Sequence, residues 1–288
     1  MFGPNAETKE VIVYNCHHRE EAFLRVYRET KKELLALAQL SPDEWEVLLF
    51  TGSGTAAIEA TILSVLGIHV VRGRGAEFGR RIANQIGTVA SYNPRFEVRH
   101  DWTVQYETAE SICNEVNKSE AGLTIVDGVS AFPYYAIPPA ADIYITVSSK
   151  QLGALPGLAL IFVRKTAWSH MLSDSLFFYA NLSRYRSDSP PHTPAMASIF
   201  SLHHSLTEGM ADALQLRIER RKEHVDEVFK SATRIGYGPV ATFKRDARWD
   251  ELIKRWGLYA RGHVQLFLWS GEEGDWQGFL NEARRVFQ

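Results

Sequence analysis

Lys150 stands in a short polar loop between two β-rich runs, Ile143–Val147 and Leu158–Val163. Such a pattern predicts strand, loop, strand. Open α/β sheets bind ligands in crevices beyond the carboxyl ends of their strands, which is where this lysine falls. Taken alone, a loop lysine reads as a solvated residue, because lysine is costly to bury without a task. Two further stretches alter that reading. An apolar strand over Glu46–Phe50 runs into Gly52, Ser53, Gly54 and Thr55, and a helix-forming segment, Ala56–Leu66, follows. Backbone N–H groups and the dipole at such a helix start favour an anion, phosphate above all. The loop lacks the Gly-Lys-Ser/Thr ending of a Walker A motif and the third glycine of a dinucleotide fingerprint. A second β-branched run, Leu123–Val126, ends at Asp127. A carboxylate there is suited to a protonated heterocyclic nitrogen. Phosphate nest, strand-end carboxylate and strand-end lysine are the parts that hold pyridoxal phosphate.

These parts must be carried by an α/β scaffold. An amphipathic helix is expected over Glu20–Leu40, with Phe23, Val26, Leu34, Leu35 and Leu37 on its apolar face. A short strand over Ile68–Val71 leads to a glycine- and arginine-rich segment, Arg72–Arg81. Ile199–Lys230 reads as one long helical stretch, with Arg217, Arg220, Arg221 and Lys222 on a solvated face. A small α/β unit follows, with strands near Val240–Phe243 and Val264–Trp269 and a last helix over Trp276–Phe287. The expected division is an arm over 1–20, a large cofactor-binding domain over 21–205 and a small domain over 206–288.

Three segments in order, Thr51–Ala60, Val126–Phe132 and Ser148–Gly157, resemble the class V aminotransferases of fold type I. The likeness is nearest to the 2-aminoethylphosphonate–pyruvate and alanine–glyoxylate transaminases. In that family Pro-Gly follows the Schiff-base lysine by six residues, and Pro156-Gly157 stand at that distance from Lys150. The resemblance implies a large domain with a mixed, mostly parallel, seven-stranded type of sheet between helices, and a small C-terminal domain. It implies that Lys150 carries pyridoxal 5'-phosphate and moves protons, and that Asp127 keeps the ring nitrogen protonated. Ser53, Gly54, Thr55 and Ser148 would surround the cofactor. Phe78 and Val129 would sandwich the ring, and Thr108 would be the remnant of a cofactor-touching loop. Thr193, in the segment Ser189–Pro194, would reach the phosphate of a second subunit, which makes a homodimer with shared active sites the expectation. His18, Arg184, Arg186 and Arg261 are the candidates for holding an amine or amino-acid substrate. Two features depart from the family. The stretch between the aromatic loop and Asp127 is short, and Val264–Trp269 lacks the arginine that usually grips a substrate carboxylate. The main expectation is an aminotransferase. A pyridoxal-phosphate enzyme of another reaction type, or a non-catalytic homologue, remains open at this point.

Composition bounds the remaining classes. The chain has 288 residues, 45% of them hydrophobic, and a formal net charge of -2, enough for a large core without a nucleic-acid footprint. Two cysteines, Cys16 and Cys113, make no disulfide framework, so a reducing cytoplasm is expected. Cys16, His17 and His18 lack a second ligand pair at zinc spacing, and no metal is expected. No leader-like opening is seen, and the longest apolar stretch, near Leu155–Val163, is too short to span a bilayer.

Overall fold

A computed structural model of the chain describes residues 16–65, 70–73, 103–106, 123–171, 178–260 and 262–288. The elements in order are α1 (Glu21–Leu37), β1 (Trp45–Thr51), α2 (Gly54–Ser64), β2 (Val70–Gly73), β3 (Thr103–Tyr106), β4 (Thr124–Asp127), β5 (Ile143–Val147) and β6 (Leu158–Arg164). After two short 3-10 turns come α3 (Met196–Thr207), α4 (Met210–Val228), β7 (Arg234–Tyr237), β8 (Val240–Lys244), α5 (Trp249–Trp256), β9 (Tyr259–Ala260), β10 (His263–Phe267) and α6 (Glu273–Phe287).

The first sheet runs β1-β6-β5-β4-β3-β2, six strands among the described residues. Strands β2 to β5 are parallel, and β6 is antiparallel to both of its neighbours, β5 and β1. Both faces of β1, β4, β5 and β6 are buried, and alternation along the strands divides the side chains between them. Ile143, Ile145, Val147, Ala159, Ile161 and Val163 face one core with the apolar residues of α2. Tyr144, Leu158, Leu160 and Phe162 face the other with Phe23, Tyr27 and Leu34 of α1 and Ile199 and Leu202 of α3. The strands therefore read as continuous apolar runs in the sequence.

A second sheet, β7-β8-β10-β9, is antiparallel throughout. Its core starts at Leu214 on α4 and ends at Phe287, with Trp249 and Phe229 stacked at its centre. The long helix expected over Ile199–Lys230 is two helices. Gly209 takes φ 68° between them, a left-handed conformation that glycine adopts without steric cost. One expectation for this region is corrected. Arg221, read as part of a solvated face, is fully buried. Its guanidinium donates to the carbonyls of Leu268 (3.2 Å), Ser270 (2.5 Å) and Gly271 (3.1 Å) and pairs with Glu273 at 3.2 Å. Those carbonyls end the last strand and precede α6, so the buried charge ties the turn between them to α4. No helix among the described residues is long and apolar enough to cross a membrane.

Candidate active site

The site lies at the carboxyl ends of β1, β4 and β5. Asp127 is the last residue of β4 and is almost wholly buried. Its carboxylate accepts a hydrogen bond from the Val129 amide at 3.0 Å. The turn between them requires a glycine, because a Cβ on Gly128 would lie 1.9 Å from the Tyr144 ring. The Gly128 amide donates to Ile145 O at 2.9 Å, continuing the ladder one residue past the strand.

Lys150 sits in the loop that joins β5 to β6. Burial pushes its ammonium below the usual lysine range, and the nearby negative charge of Asp127 opposes that shift. The two groups expected to act together therefore feel one another across the site. The loop backbone is held at many points. Ser148 Oγ donates to Leu155 O at 2.6 Å and lies 3.2 Å from Leu158 O. The Gly153 amide donates to Lys150 O at 3.2 Å and the Ala154 amide to Ser148 O at 3.0 Å.

Helix α3 supplies more. Ser198 donates to Pro156 O at 2.8 Å, Ser201 accepts from the Leu155 amide at 3.0 Å, and Ser205 donates to Leu152 O. These three serines recur about one per helical turn and meet loop backbone that has no strand partner. Sequence reasoning missed them, although their helical spacing was visible within Ile199–Lys230 and just before it. It also missed Gln151. That side chain, fully buried, donates to Ser130 O at 2.5 Å and accepts from the Tyr134 amide at 3.1 Å.

The anion nest is built by β1 and α2. Ser53 is the N-cap of α2, its hydroxyl accepting from the Ala56 amide at 3.2 Å. The first turn of a helix has no preceding turn to receive its amides, so the start of α2 at Gly54 is suited to an anion. Gly54 also marks a close approach, since a Cβ there would meet Val129 Cγ2 at 2.8 Å and Val147 Cγ1 at 3.3 Å. The nest is fastened to the lysine loop through β6. Thr51 pairs with Leu158, and the Gly52 amide donates to Gly157 O at 2.9 Å.

Beside Thr51 lies an aromatic group. Tyr179 Oη donates to Thr51 O at 3.0 Å, and His192 stacks on Tyr179 with ring centroids 5.0 Å apart. Arg184 places its guanidinium 3.4 Å from the Phe178 ring centroid. Burial, with the positive charge of Arg184, holds the His192 imidazole below its ordinary pKa. Thr193 is exposed at the edge of this group. The Ala195 amide, two residues on, donates to Thr51 Oγ1 at 2.9 Å, so the segment is anchored at the nest.

The structure thus brings Asp127, Val129, Ser148 and Lys150 together with Ser53, Gly54 and Thr55, and sets Arg184 and Thr193 beside the nest. It sends Arg186 elsewhere. Its guanidinium pairs with Glu46 at 3.2 Å and lies over Trp168, at the start of β1 and away from Thr51. His18 is buried against His17 just before α1, and burial, with the positive charge of Arg19 nearby, lowers its pKa. Phe78, Thr108 and Arg261 lie outside the described residues. The residues present fit pyridoxal phosphate: the N-terminus of α2 for the phosphate, the buried Asp127 carboxylate for the ring nitrogen, and the Lys150 amine in the loop after β5.

The fold is that of the pyridoxal-phosphate-dependent aminotransferases of fold type I. Aspartate aminotransferase of Thermus thermophilus, of subgroup IV, matches with a TM-score of 0.76 at 17% identity, over 99% of this chain and 97% of that one. In sequence, the chain is 27% identical over 260 residues to an uncharacterised aminotransferase of Methanocaldococcus jannaschii, covering 76% of this chain and 65% of the relative. It is 27% identical over 199 residues to a 2-aminoethylphosphonate–pyruvate transaminase of Bacillus cereus, covering 57% of this chain and 58% of the relative. The chain thus spans less than two thirds of the length of these two relatives. No family model matches the sequence.

Proposed function

We propose that the chain is a pyridoxal-phosphate-dependent aminotransferase of the class V kind, acting on an amine or amino-acid substrate in the cytoplasm. The observation that carries this reading is Lys150, partly buried, lowered in pKa and under the influence of Asp127, in the loop beside the N-terminus of α2. When bound, pyridoxal phosphate supplies an electron sink for charge that develops at the substrate carbon. The chain's own groups do the rest. The Gly54 and Thr55 amides would hold the phosphate, Asp127 would keep a proton on the ring nitrogen, and Val129 would line the site. The neutral Lys150 amine takes a proton from the substrate carbon and returns it at another position. The same reading divides the chain into an arm over 1–20, a cofactor domain over 21–205 and a small domain over 206–288, supported by the separate core that starts at Leu214.

Strand β10 reads His263, Val264, Gln265, Leu266 and Phe267, with Val264 and Leu266 packed into the small core. It carries neither arginine nor lysine to meet an α-carboxylate. A charge-assisted hydrogen bond is worth about 1.5–3 kcal/mol, roughly ten- to a hundredfold in kcat/KM. With glyoxylate as acceptor, which gives a product distinct from every donor, 2-aminoethylphosphonate is therefore expected to outpace alanine, serine and aspartate as donor by roughly that factor. Alanine or serine as the best donor overturns the substrate half of the proposal. No amine exchange with any donor, larger natural amines included, overturns the activity itself.

A homodimer with shared sites belongs to the same proposal. Thr193, Phe178 and Tyr179 are exposed beside the nest, the two rings at 60% and 44%, where a second copy would complete it. Two-fold dimers are the commonest soluble assemblies. Sedimentation is expected to give a dimer, and Thr193→Ala to loosen pyridoxal phosphate by roughly tenfold, the scale of one charged hydrogen bond. A fully active monomer would count against it.

A further inference from the structure

We propose that Gln151, Tyr134 and Lys222 form a relay by which the position of the small unit sets the geometry of the Lys150 loop. In the loaded protein they act as positioning residues. Their effect on catalysis rests on the function proposed above. The physical link does not.

The segment after Asp127 does two things at once. Its first residues turn under Asp127 through Gly128 and Val129, and its last place the Tyr134 ring against the apolar core of the small unit. Tyr134 is the large unit's contribution to that core. Its hydroxyl accepts a hydrogen bond from Lys222 on α4, and Lys222 also pairs with Glu219 at 3.3 Å. Lys222 lies besides over the Tyr134 ring, 5.1 Å from its centroid. The same segment is gripped from the other side by Gln151, covalently next to Lys150. Gln151 takes the Tyr134 amide and the Ser130 carbonyl, four residues apart, with the two ends of one side-chain amide.

Gln151 is fully buried, so each of these bonds replaces water that has no access there. Losing one leaves a buried polar group unpaired, a state the segment escapes only by moving. The path from α4 to the lysine loop is therefore Lys222, the Tyr134 hydroxyl, the Tyr134 amide and the Gln151 side chain. A shift of α4 that carries Lys222 pulls on Tyr134, and Gln151 passes the pull to the residue beside Lys150. The arrangement couples the large and small units at the amine, without passing through the anion nest.

The test uses amide hydrogen exchange in the full-length, cofactor-free protein, read at Gly153 and Ala154. Their amides bond within the lysine loop and touch neither Tyr134 nor Lys222. Lys222→Met and Tyr134→Phe are each expected to speed exchange there by about tenfold. The second variant keeps the ring on the small core and removes only the hydroxyl. A ring that served packing alone would leave Tyr134→Phe silent. Lys222→Arg, which still presents a cation to the phenol oxygen, is expected to restore most of the protection. Arg248→Ala is the control, because Arg248 ties Asp246 to Ser231 within the small unit, outside the relay. It should leave Gly153 and Ala154 unchanged. Combining Lys222→Met with Gln151→Leu is expected to fall short of the product of the single effects by about threefold or more, as for residues in one network. Parental exchange at both amides in Lys222→Met and Tyr134→Phe, independent effects in the double variant, or an equal effect of Arg248→Ala would each overturn the relay. None of these readouts depends on which donor the enzyme uses.

Discussion

With Lys150 replaced by alanine, the protein loaded with pyridoxal phosphate is expected to lose its visible colour, and borohydride should no longer fix the cofactor to the chain. Turnover should fall by about 10²–10⁴-fold, the range for one positioned proton-transfer group. The basis is the environment of the amine. Burial favours its neutral form, and the negative charge of Asp127 favours its protonated form. The net shift is downward, so the amine loses its proton at a lower pH than an ordinary lysine near 10.4. At neutral pH more of it is then ready to act as nucleophile and base. Peptide mapping of the borohydride-treated parent should place the tag on Lys150. A tag on any other lysine would remove Lys150 from the site.

The second large effect is expected from Asp127→Asn. Asparagine keeps an oxygen to accept the Val129 amide, so the turn through Gly128 is preserved while the charge is lost. Cofactor should still be retained through its phosphate at the start of α2. The slow step should become removal of the substrate proton, with turnover lowered by about 10²–10³-fold, as when one preorganised electrostatic group is removed. Stopped-flow measurement with a deuterated donor checks this. An unchanged rate would exclude a pairing between Asp127 and the ring nitrogen. Asp127→Ala makes a less clean probe, because it also orphans the Val129 amide at about 1–3 kcal/mol.

The parts of the site that could be read from the sequence are those whose chemistry is local. Asp127 and Lys150 each follow a β-branched run, and Ser53 and Gly54 stand between a strand and a helix. One short window therefore defines each position. The sheet between helices was implied by the family resemblance, and β5 and β6, apolar on both faces, agree with it. What stayed hidden depends on partners distant in the chain. Arg221 resembles any surface arginine of a charged helix until the carbonyls of Leu268, Ser270 and Gly271 meet it. Arg184 and Arg186 stand two residues apart in one short 3-10 turn, yet one lies over Phe178 and the other over Trp168. Nothing in their local sequence separates them. Gln151 was passed over as the residue after the lysine, because its two partners belong to the segment around Ser130 and Tyr134.

The antiparallel insertion of β6 between β5 and β1 has a consequence for how the molecule assembles. Residues 148–157 close a short hairpin, so the lysine loop is a local product of the chain. The anion nest arrives with β1, whose Thr51 must find Leu158 from far earlier in the sequence. Loop-closure entropy grows with the logarithm of length, so bringing β1 to β6 costs about 2 kcal/mol more than closing the hairpin. The two halves of the site are therefore expected to form on different timescales, the lysine half first, because non-local pairing is the slower event. A ligand that grips the start of α2 and Lys150 together would act as a removable clasp across that long loop. It slows unfolding by holding shut the contact that chain entropy most strongly opposes.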